Sequence, residues 1–155
     1  MHFDALTLAC LTNELQHTLV GGRVQQIVLV DDFSVGLEIY AERERRYLFL
    51  SAQPAASHIY LSGQRLRRGV EQQSPLLLLV RKYVRGSVVT AIAQPDPTER
   101  VLRIEFSHLA QGTTSLIAEP MGRSANLILT DGDGTILEAV RRVHSDRGRA
   151  VLPSH

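Results

Sequence analysis

The sequence contains few of the residues that mark several common classes of protein. Its 155 residues include no tryptophan, one cysteine and only 5% aromatic residues. A single cysteine cannot form a disulfide framework within the chain, and so few rings argue against a surface made of rows of stacked bases. Cys10 lies in an apolar periodic segment, so we expect it to pack as a small hydrophobic residue. Such cysteine usage fits a reducing, cytoplasmic setting.

Charge and hydropathy exclude further classes. Lys and Arg total 17 against 16 Asp and Glu, so any nucleic-acid site must be a local basic patch within a net charge of +1. The longest apolar run, residues 76–80, is too short to cross a bilayer, and the N-terminus shows no signal-peptide pattern. With 44% hydrophobic and 21% charged residues, the composition predicts one globular domain over residues 1–155.

Motifs for metal, phosphate and covalent chemistry are also missing. The six histidines show no paired spacing, so we expect no metal site and no cofactor. Residues 131–134 begin like a calcium loop, but Thr135 and Ile136 occupy positions that need an acid and a glycine, so a hairpin turn is predicted. Gly21 and Gly22 follow a helical pattern, which indicates a helix stop. No nucleophile elbow is present, and we expect no enzymatic activity.

Apolar periodicity predicts two helices. Leucines recur at helical spacing over residues 4–19, before the glycine pair. A second helix is predicted to begin at Ser74 and Pro75, with serine as cap and proline in the first turn. Its first half, residues 76–80, is apolar all round, so we expect burial on most sides. Its last turn carries three cations that suit the negative end of the helix dipole: Arg81, Lys82 and Arg85.

A period of two predicts two groups of strands. The first group covers residues 23–30, 34–40, 47–50 and 58–61, with a charged turn at 42–46. The second covers residues 88–93, 101–106, 114–118, 126–130 and 135–140. Strands in close succession with short turns predict antiparallel meanders. The predicted fold class is α+β, with mainly antiparallel β-sandwich or barrel-like sheets and two principal helices.

Two polar segments between strands are candidate sites. In the first, Pro120 and Gly122 force a bend that presents Arg123 and Asn126, either as a corner bonded to backbone or as a ligand contact. In the second, the Glu99-Arg100 pair follows a loop stiffened by two prolines. The Glu99 carboxylate could hold the guanidinium in place or accept a hydrogen bond from a base edge. The alternative is an ordinary surface ion pair, which contributes at most ~1 kcal/mol. The arginines elsewhere could form a solvated face or bind phosphates.

Several short segments resemble the NFACT N-terminal domain, also called the fibronectin-binding protein A N-terminal domain. Glu99-Arg100 stands where that family has an Asp-Arg pair, and the motif from Met121 to Asn126 (Met121, Gly122, Arg123, Ser124, Ala125, Asn126) resembles Met-Gly-Arg-His-Ser-Asn. The other matching segments are Phe3-Asp4-Ala5-Leu6-Thr7-Leu8, Gly21-Gly22-Arg23-Val24, Leu48-Phe49-Leu50-Ser51-Ala52-Gln53-Pro54, Leu79-Val80-Arg81-Lys82-Tyr83-Val84-Arg85-Gly86 and Arg149-Ala150-Val151-Leu152-Pro153. Each match is weak alone, but their order along the whole chain is specific.

The resemblance implies the RNA-binding module of an RqcH-like ribosome quality-control factor. Such factors bind tRNA (alanyl-tRNA in the family) and the obstructed large ribosomal subunit, and they support C-terminal alanine tailing of stalled chains. The family's Asp-Arg contact implies tRNA binding by Glu99 and Arg100, although Glu places its carboxylate one methylene further out. Arg81, Lys82 and Arg85 are candidate phosphate contacts.

Two departures from the family refine these expectations. Ser124 and Ala125 replace His-Ser, so a ring is lost and no nucleic-acid contact is expected at residue 124. We therefore expect Arg123 and Asn126 chiefly to brace the bend. The resemblance also implies a fold similar to the N-terminal domain of formamidopyrimidine DNA glycosylases. Their nucleophilic N-terminal proline is absent here, because His2 follows Met1.

Two further expectations come with the resemblance. Full-length family members continue beyond this domain, so we expect the chain to be part of a longer multidomain protein. The older family name gives an alternative function, a cell-surface adhesin domain that binds fibronectin. Neither a membrane nor a small molecule is expected as a partner.

Overall fold

In the computed structural model of the chain, which describes residues 5–31, 34–52, 59–63, 75–95, 98, 101–119 and 126–140, two helices pack on one continuous antiparallel sheet of nine strands. The helices are α1 (Ala5–Leu19) and α2 (Pro75–Val84). The strands are β1 (Arg23–Asp31), β2 (Ser34–Ala41), β3 (Glu44–Ser51), β4 (Ile59–Ser62), β5 (Val88–Ala93), β6 (Leu102–His108), β7 (Gly112–Glu119), β8 (Asn126–Asp131) and β9 (Ile136–Ala139). Their order across the sheet is β4-β3-β2-β1-β5-β6-β7-β8-β9. The predicted α+β class with two helices is confirmed.

Helix α1 forms where the leucine spacing predicts it. Leu8, Leu15 and Leu19 are fully buried, and Thr12 completes the same face by donating its hydroxyl hydrogen to the Leu8 carbonyl at 2.7 Å. The helix packs on β5 and β2. It ends as Gly21 takes a left-handed φ of 90°, which glycine adopts without steric cost.

The prediction that Cys10 packs in the interior is wrong, because its side chain is exposed. Cys10 lies two residues beyond Leu8, which is about 200° around a helix of 3.6 residues per turn. That rotation places it on the face opposite the buried stripe. An apolar segment therefore does not bury each small residue within it.

Helix α2 buries one face and exposes another. Leu76, Val80 and Val84, spaced four residues apart, are buried against β1 and the strands β6 to β9. Leu78 is 51% exposed, so the prediction that the first half is buried on most sides is wrong at this residue. It lies two residues from both Leu76 and Val80, about 200° around the helix, which places it on the face opposite the buried stripe. The predicted cap, Ser74, lies outside the described residues.

The sheet divides into two half-sheets, β1–β4 and β5–β9, joined at one corner. β1 pairs with β2 along most of its length but with β5 through a single residue pair, Arg23 opposite Val88. Beyond that corner β3 contacts β8, and residues of both half-sheets share one hydrophobic core, for example Leu48 and Leu129. The sheet therefore folds over on itself around its core.

Four backbone hydrogen bonds close this corner. Gly21 N donates to Val89 O at 2.8 Å, and Val89 N donates to Gly22 O at 2.8 Å. Val24 N donates to Ser87 O and Gly86 N donates to Val24 O, both at 2.9 Å. The end of α1, the start of β1 and the connection from α2 to β5 are thereby held together.

The turn between β2 and β3 is shorter than predicted. Only Glu42 and Arg43 form it, with φ of 52° and 67°, and β3 already begins at Glu44. Two-residue hairpins favour positive φ at both positions, usually with Asn-Gly, and the sequence lacks that signal here. By contrast the predicted turn at residues 131–134 is confirmed. Asp131 Oδ1 accepts hydrogen bonds from the backbone N–H groups of Asp133 at 2.9 Å and Thr135 at 3.0 Å.

We predict that Gly22→Ala destabilises the fold through steric overlap. A Cβ at this position would lie 2.8 Å from both Ala41 Cβ and Ile39 Cγ2, and 2.9 Å from the Leu19 carbonyl oxygen. Overpacking of this kind costs about 1–3 kcal/mol. Urea unfolding should show this loss, whereas Gly63→Ala, with no atom of the described residues within 4 Å of the added carbon, should change stability by no more than about 0.5 kcal/mol. Equal stability of the two variants would contradict the close packing at the corner.

We also predict that Arg43→Gly stabilises the protein, because glycine relieves the left-handed backbone of the turn. A left-handed conformation costs a non-glycine residue about 1 kcal/mol or more. Glycine removes this cost, but it also raises the conformational entropy of the unfolded chain, which offsets part of the gain in stability. We expect a gain of roughly 0.5 kcal/mol in urea unfolding. Arg45→Gly, at a paired strand position, is the matched control and should lose stability. A loss in both variants would show that the left-handed turn carries no strain.

Candidate nucleic-acid interface

Cations cluster where α2 ends and β1 begins. On the last turn of α2 and the residue after it, Lys82 and Arg85 are exposed and Arg81 is half-buried. Lys82 Nζ lies 5.3 Å from the centre of the Tyr83 ring, within the range of a cation–π contact. Together with Arg23 these residues form what we call the cationic corner (Arg23, Arg81, Lys82 and Arg85).

Arg23 is the member of the cationic corner that sequence reasoning did not select. Its Nη1 donates a hydrogen bond to the Gly86 carbonyl oxygen at 2.9 Å, while the side chain remains exposed. The carbonyls at a helix C-terminus carry partial negative charge, which favours a guanidinium at this position. No local pattern could identify Arg23, because its partner is 63 residues away in sequence.

The motif segments connect to the opposite end of the second half-sheet. Ala93 at the end of β5 pairs with Arg103 of β6, and Leu102 at the start of β6 pairs with Ala118 of β7. Glu119 at the end of β7 pairs with Asn126 at the start of β8. Antiparallel neighbours thus bring these strand ends to one edge. We call this edge the far end (Ala93, Leu102, Glu119 and Asn126).

Of the predicted site residues at the far end, the structure describes Asn126. Glu99, Arg100, Met121, Gly122 and Arg123 lie outside the described residues, as does Ser124. The strand ends that precede and follow both motif segments are neighbours in the sheet. The register therefore places the described ends of β5, β6, β7 and β8 side by side.

Asn126 is turned into the protein rather than toward solvent. The residue is 6% exposed, and its Oδ1 accepts a hydrogen bond from Leu127 N at 3.0 Å. Glu119, across the register, is buried as well. A buried amide that bonds backbone fits the predicted bracing role and leaves little surface for a ligand.

The cationic corner and the far end lie at opposite ends of β5. Arg85 and Gly86 precede Val88, the first residue of β5, whereas the far end begins at Ala93, its last residue. Six residues of extended chain span about 17 Å. Arg81, Lys82 and Arg85 therefore do not join the strand ends that lead to Glu99 and Arg100.

The described residues narrow the possible chemistry. Among them, no group of three or more His, Cys, Asp and Glu side chains is placed to hold a metal ion. No helix within the described ranges has the length and apolar character needed to span a membrane.

The fold and its cationic corner define an α+β domain built on one curled antiparallel sheet with a localised basic surface. Residues 4–155 match the family model of NFACT N-terminal and middle domains. The chain belongs to this family.

Curated relatives and solved structures agree with that membership. The Rqc2 homolog RqcH of Streptococcus pneumoniae serotype 2 is 30% identical over 160 residues, which is 99% of this chain and 29% of that protein. RqcH of Bacillus subtilis is 28% identical over 99% of this chain and 28% of its own length. This chain thus spans less than a third of these relatives.

Two solved structures have the same fold. The N-terminal domain of fibronectin-binding protein PavA from Streptococcus pneumoniae has a TM-score of 0.84 and 29% identity over 98% of this chain and 59% of its own. The N-terminal part of the fibronectin/fibrinogen-binding protein of Streptococcus suis has a TM-score of 0.86 and 30% identity over the same shares.

We predict that Asn126→Ala lowers stability, because it removes the acceptor of the Leu127 N–H in a buried position. Loss of such a hydrogen bond costs about 1–2 kcal/mol. Urea unfolding of the variant measures this cost. Asn13→Ala, on the exposed face of α1, is the control and should leave stability unchanged or slightly raised. A fully stable Asn126→Ala variant would exclude a bracing role for the amide.

Proposed function

We propose that the chain is the RNA-binding module of a ribosome quality-control factor. In this proposal it binds tRNA, alanyl-tRNA in particular, and the obstructed large ribosomal subunit, and it supports C-terminal alanine tailing of stalled chains. The observation that carries the proposal is 30% identity to an Rqc2 homolog RqcH over 99% of the chain. Because the chain spans 29% of that relative, the other steps of the process belong to the remainder of such a protein.

The distribution of candidate contacts supports an extended ligand. The cationic corner and the far end are separated by the length of β5, about 17 Å. A small molecule cannot reach both, whereas a folded RNA presents phosphates and base edges over such distances. Binding through local cations should weaken steeply as salt rises, since counterions are released from the RNA.

We assign the contacts as follows. Glu99 and Arg100 bind tRNA, and Arg81, Lys82 and Arg85 bind phosphates. In this proposal Arg123 and Asn126 brace the bend that the sequence predicts at the motif containing Met121 and Gly122. The module acts in the cytoplasm without a cofactor and without an enzymatic activity of its own. The similarity to the glycosylase N-terminal domain stays a prediction.

A second candidate function is a fibronectin-binding adhesin domain. The observation in its favour is that the structural neighbours from Streptococcus pneumoniae and Streptococcus suis are named fibronectin-binding proteins. Immobilised fibronectin and labelled tRNA, each titrated with the same protein preparation, separate the two functions. Binding to fibronectin but not to tRNA would favour the adhesin.

We predict that Glu99→Ala combined with Arg100→Ala lowers the affinity for tRNA roughly tenfold, the effect of losing one specific charged contact. Fluorescence anisotropy with labelled tRNA measures the affinity at fixed salt, and circular dichroism checks the fold. The chain offers a matched control in Glu42 and Arg43, an exposed Glu-Arg pair at the turn between β2 and β3. Glu42→Asn with Arg43→Gly removes the same charges and keeps positive φ acceptable.

The control variant, Glu42→Asn with Arg43→Gly, should bind tRNA with the affinity of the unaltered chain. An intact Glu99→Ala, Arg100→Ala protein with unchanged tRNA affinity would refute the assignment of that pair. Sedimentation with obstructed large subunits, using a longer protein that carries this module, extends the same comparison to the ribosome.

A further inference from the structure

Three exposed side chains lie in one row across β1, β2 and β3. The register pairs Arg23 with Tyr40 and pairs Tyr40 with Arg45. Directly paired residues of antiparallel strands point to the same face, with Cβ atoms about 4.5–5.5 Å apart. The two arginines therefore flank one tyrosine. We call this set the Arg–Tyr–Arg row.

The row is on the outer face of the first half-sheet. Val24 and Ile39, each next to a row residue in sequence and paired with one another, are buried in the core. Successive strand residues alternate between faces, so the row points away from that core. Tyr40 is 44% exposed, and Arg23 and Arg45 are exposed as well. An aromatic ring flanked by two cations is thus open to solvent.

One end of the row is fixed and continues into the cationic corner. The hydrogen bond from Arg23 Nη1 to the Gly86 carbonyl holds that guanidinium in place. Arg85, the residue before Gly86, is exposed beside this contact. Since a guanidinium carries five N–H donors, Arg23 keeps donors for a ligand after bonding to one carbonyl.

Of the acids near the row, one already has a cationic partner and one is buried. The Glu44 carboxylate accepts an ion-pair hydrogen bond from Arg46 at 3.0 Å. Glu38 lies on the same face as Tyr40 but is only 9% exposed. Of the acids next to the row in β2 and β3, Glu42 in the turn is thus the one open to solvent without a cation at contact distance in the described structure.

We propose that the Arg–Tyr–Arg row binds an unpaired RNA segment, with one base stacked on Tyr40 and the neighbouring phosphates held by Arg23 and Arg45. Strands two apart place the two arginines about 9–10 Å from each other, on either side of a single ring. Base–aromatic stacking tolerates any base, and arginine binds phosphates bidentately. The inference rests on the proposed RNA-binding function and adds a site that does not include Glu99 and Arg100.

The first test measures stacking. The chain has four tyrosines and no tryptophan, so tyrosine fluorescence reports directly on a base that stacks. An unlabelled single-stranded RNA oligonucleotide of mixed sequence should quench this emission in the unaltered chain. Tyr40→Phe should bind with similar affinity but lose most of the quenching. Tyr40→Leu should bind about fivefold or more weakly, the lower range of one lost stack.

Tyr60 provides the matched control for Tyr40. It is 39% exposed on the same face, but its ring already stacks on Phe49 with centroids 4.8 Å apart. Tyr60→Leu should therefore leave RNA affinity unchanged. Equal losses in Tyr40→Leu and Tyr60→Leu would overturn the assignment to Tyr40.

The second test measures the phosphates. Arg23→Gln and Arg45→Gln should each lower the slope of log affinity against log salt by about 0.7, the value for one contact to a single strand. Arg43→Asn removes the same charge two residues from Arg45, outside the row, and should leave the slope unchanged. Equal changes of slope in Arg43→Asn and Arg45→Gln would indicate that the general positive charge of the surface, rather than the Arg–Tyr–Arg row, binds the phosphates. That result would overturn the proposal.

These outcomes separate the row from the proposed function. If the unaltered chain binds RNA and Tyr40→Leu binds it equally well, the row is refuted while the RNA-binding function stands. If the unaltered chain binds neither the oligonucleotide nor tRNA at low salt, both proposals fail.

Discussion

The joint between the two half-sheets determines the rest of this structure. Four backbone hydrogen bonds connect residues 21–24 with residues 86–89. The Gly22 carbonyl accepts one of these bonds, and the chain at Gly22 is too close to Ile39 and Ala41 to accept a Cβ. Because the two half-sheets meet only here along β1 and β5, the joint sets how the second half-sheet folds over the first and encloses the core. It also brings Gly86 to Arg23, so the same contacts that close the core place the cations at the surface.

Local sequence patterns predicted most of the helices and strands, but they predicted less well which side chains are buried. Leucine spacing and the glycine pair were enough for α1, and alternating hydropathy located β5 to its terminal residues. Cys10 and Leu78 were misjudged because a segment's overall hydrophobicity does not state the angle of each side chain around its helix. The two-residue turn at Glu42 and Arg43 was missed because tertiary pairing, rather than turn-favouring residues, imposes its backbone.

The candidate site likewise has features that the sequence could identify and features that only the strand pairing reveals. Arg81, Lys82 and Arg85 were identifiable from a basic helix end, and the family resemblance selected Glu99, Arg100 and the motif that ends at Asn126. Sequence could not show that the first group lies a strand length from the far end, nor that Arg23 and Arg45 flank Tyr40. Both facts follow from pairing between distant residues. The low aromatic content argued against rows of stacked bases, and a single ring between two arginines is consistent with it.

The strand order bears on how this sheet behaves at high concentration. A nine-stranded sheet that does not close has two borders, and here they are β4 and β9, each four residues long. The other described strands have six to nine residues and lie between two neighbours in the sheet order, although β1 and β5 pair with one another at Arg23 and Val88 alone. Unpaired backbone at a sheet border is the template on which another chain can add a strand, and a short border offers few hydrogen bonds for such growth. By ending on its shortest strands, the sheet limits edge-to-edge self-association at these two borders, whereas in the described structure most of β1 has no strand partner on the side that faces β5.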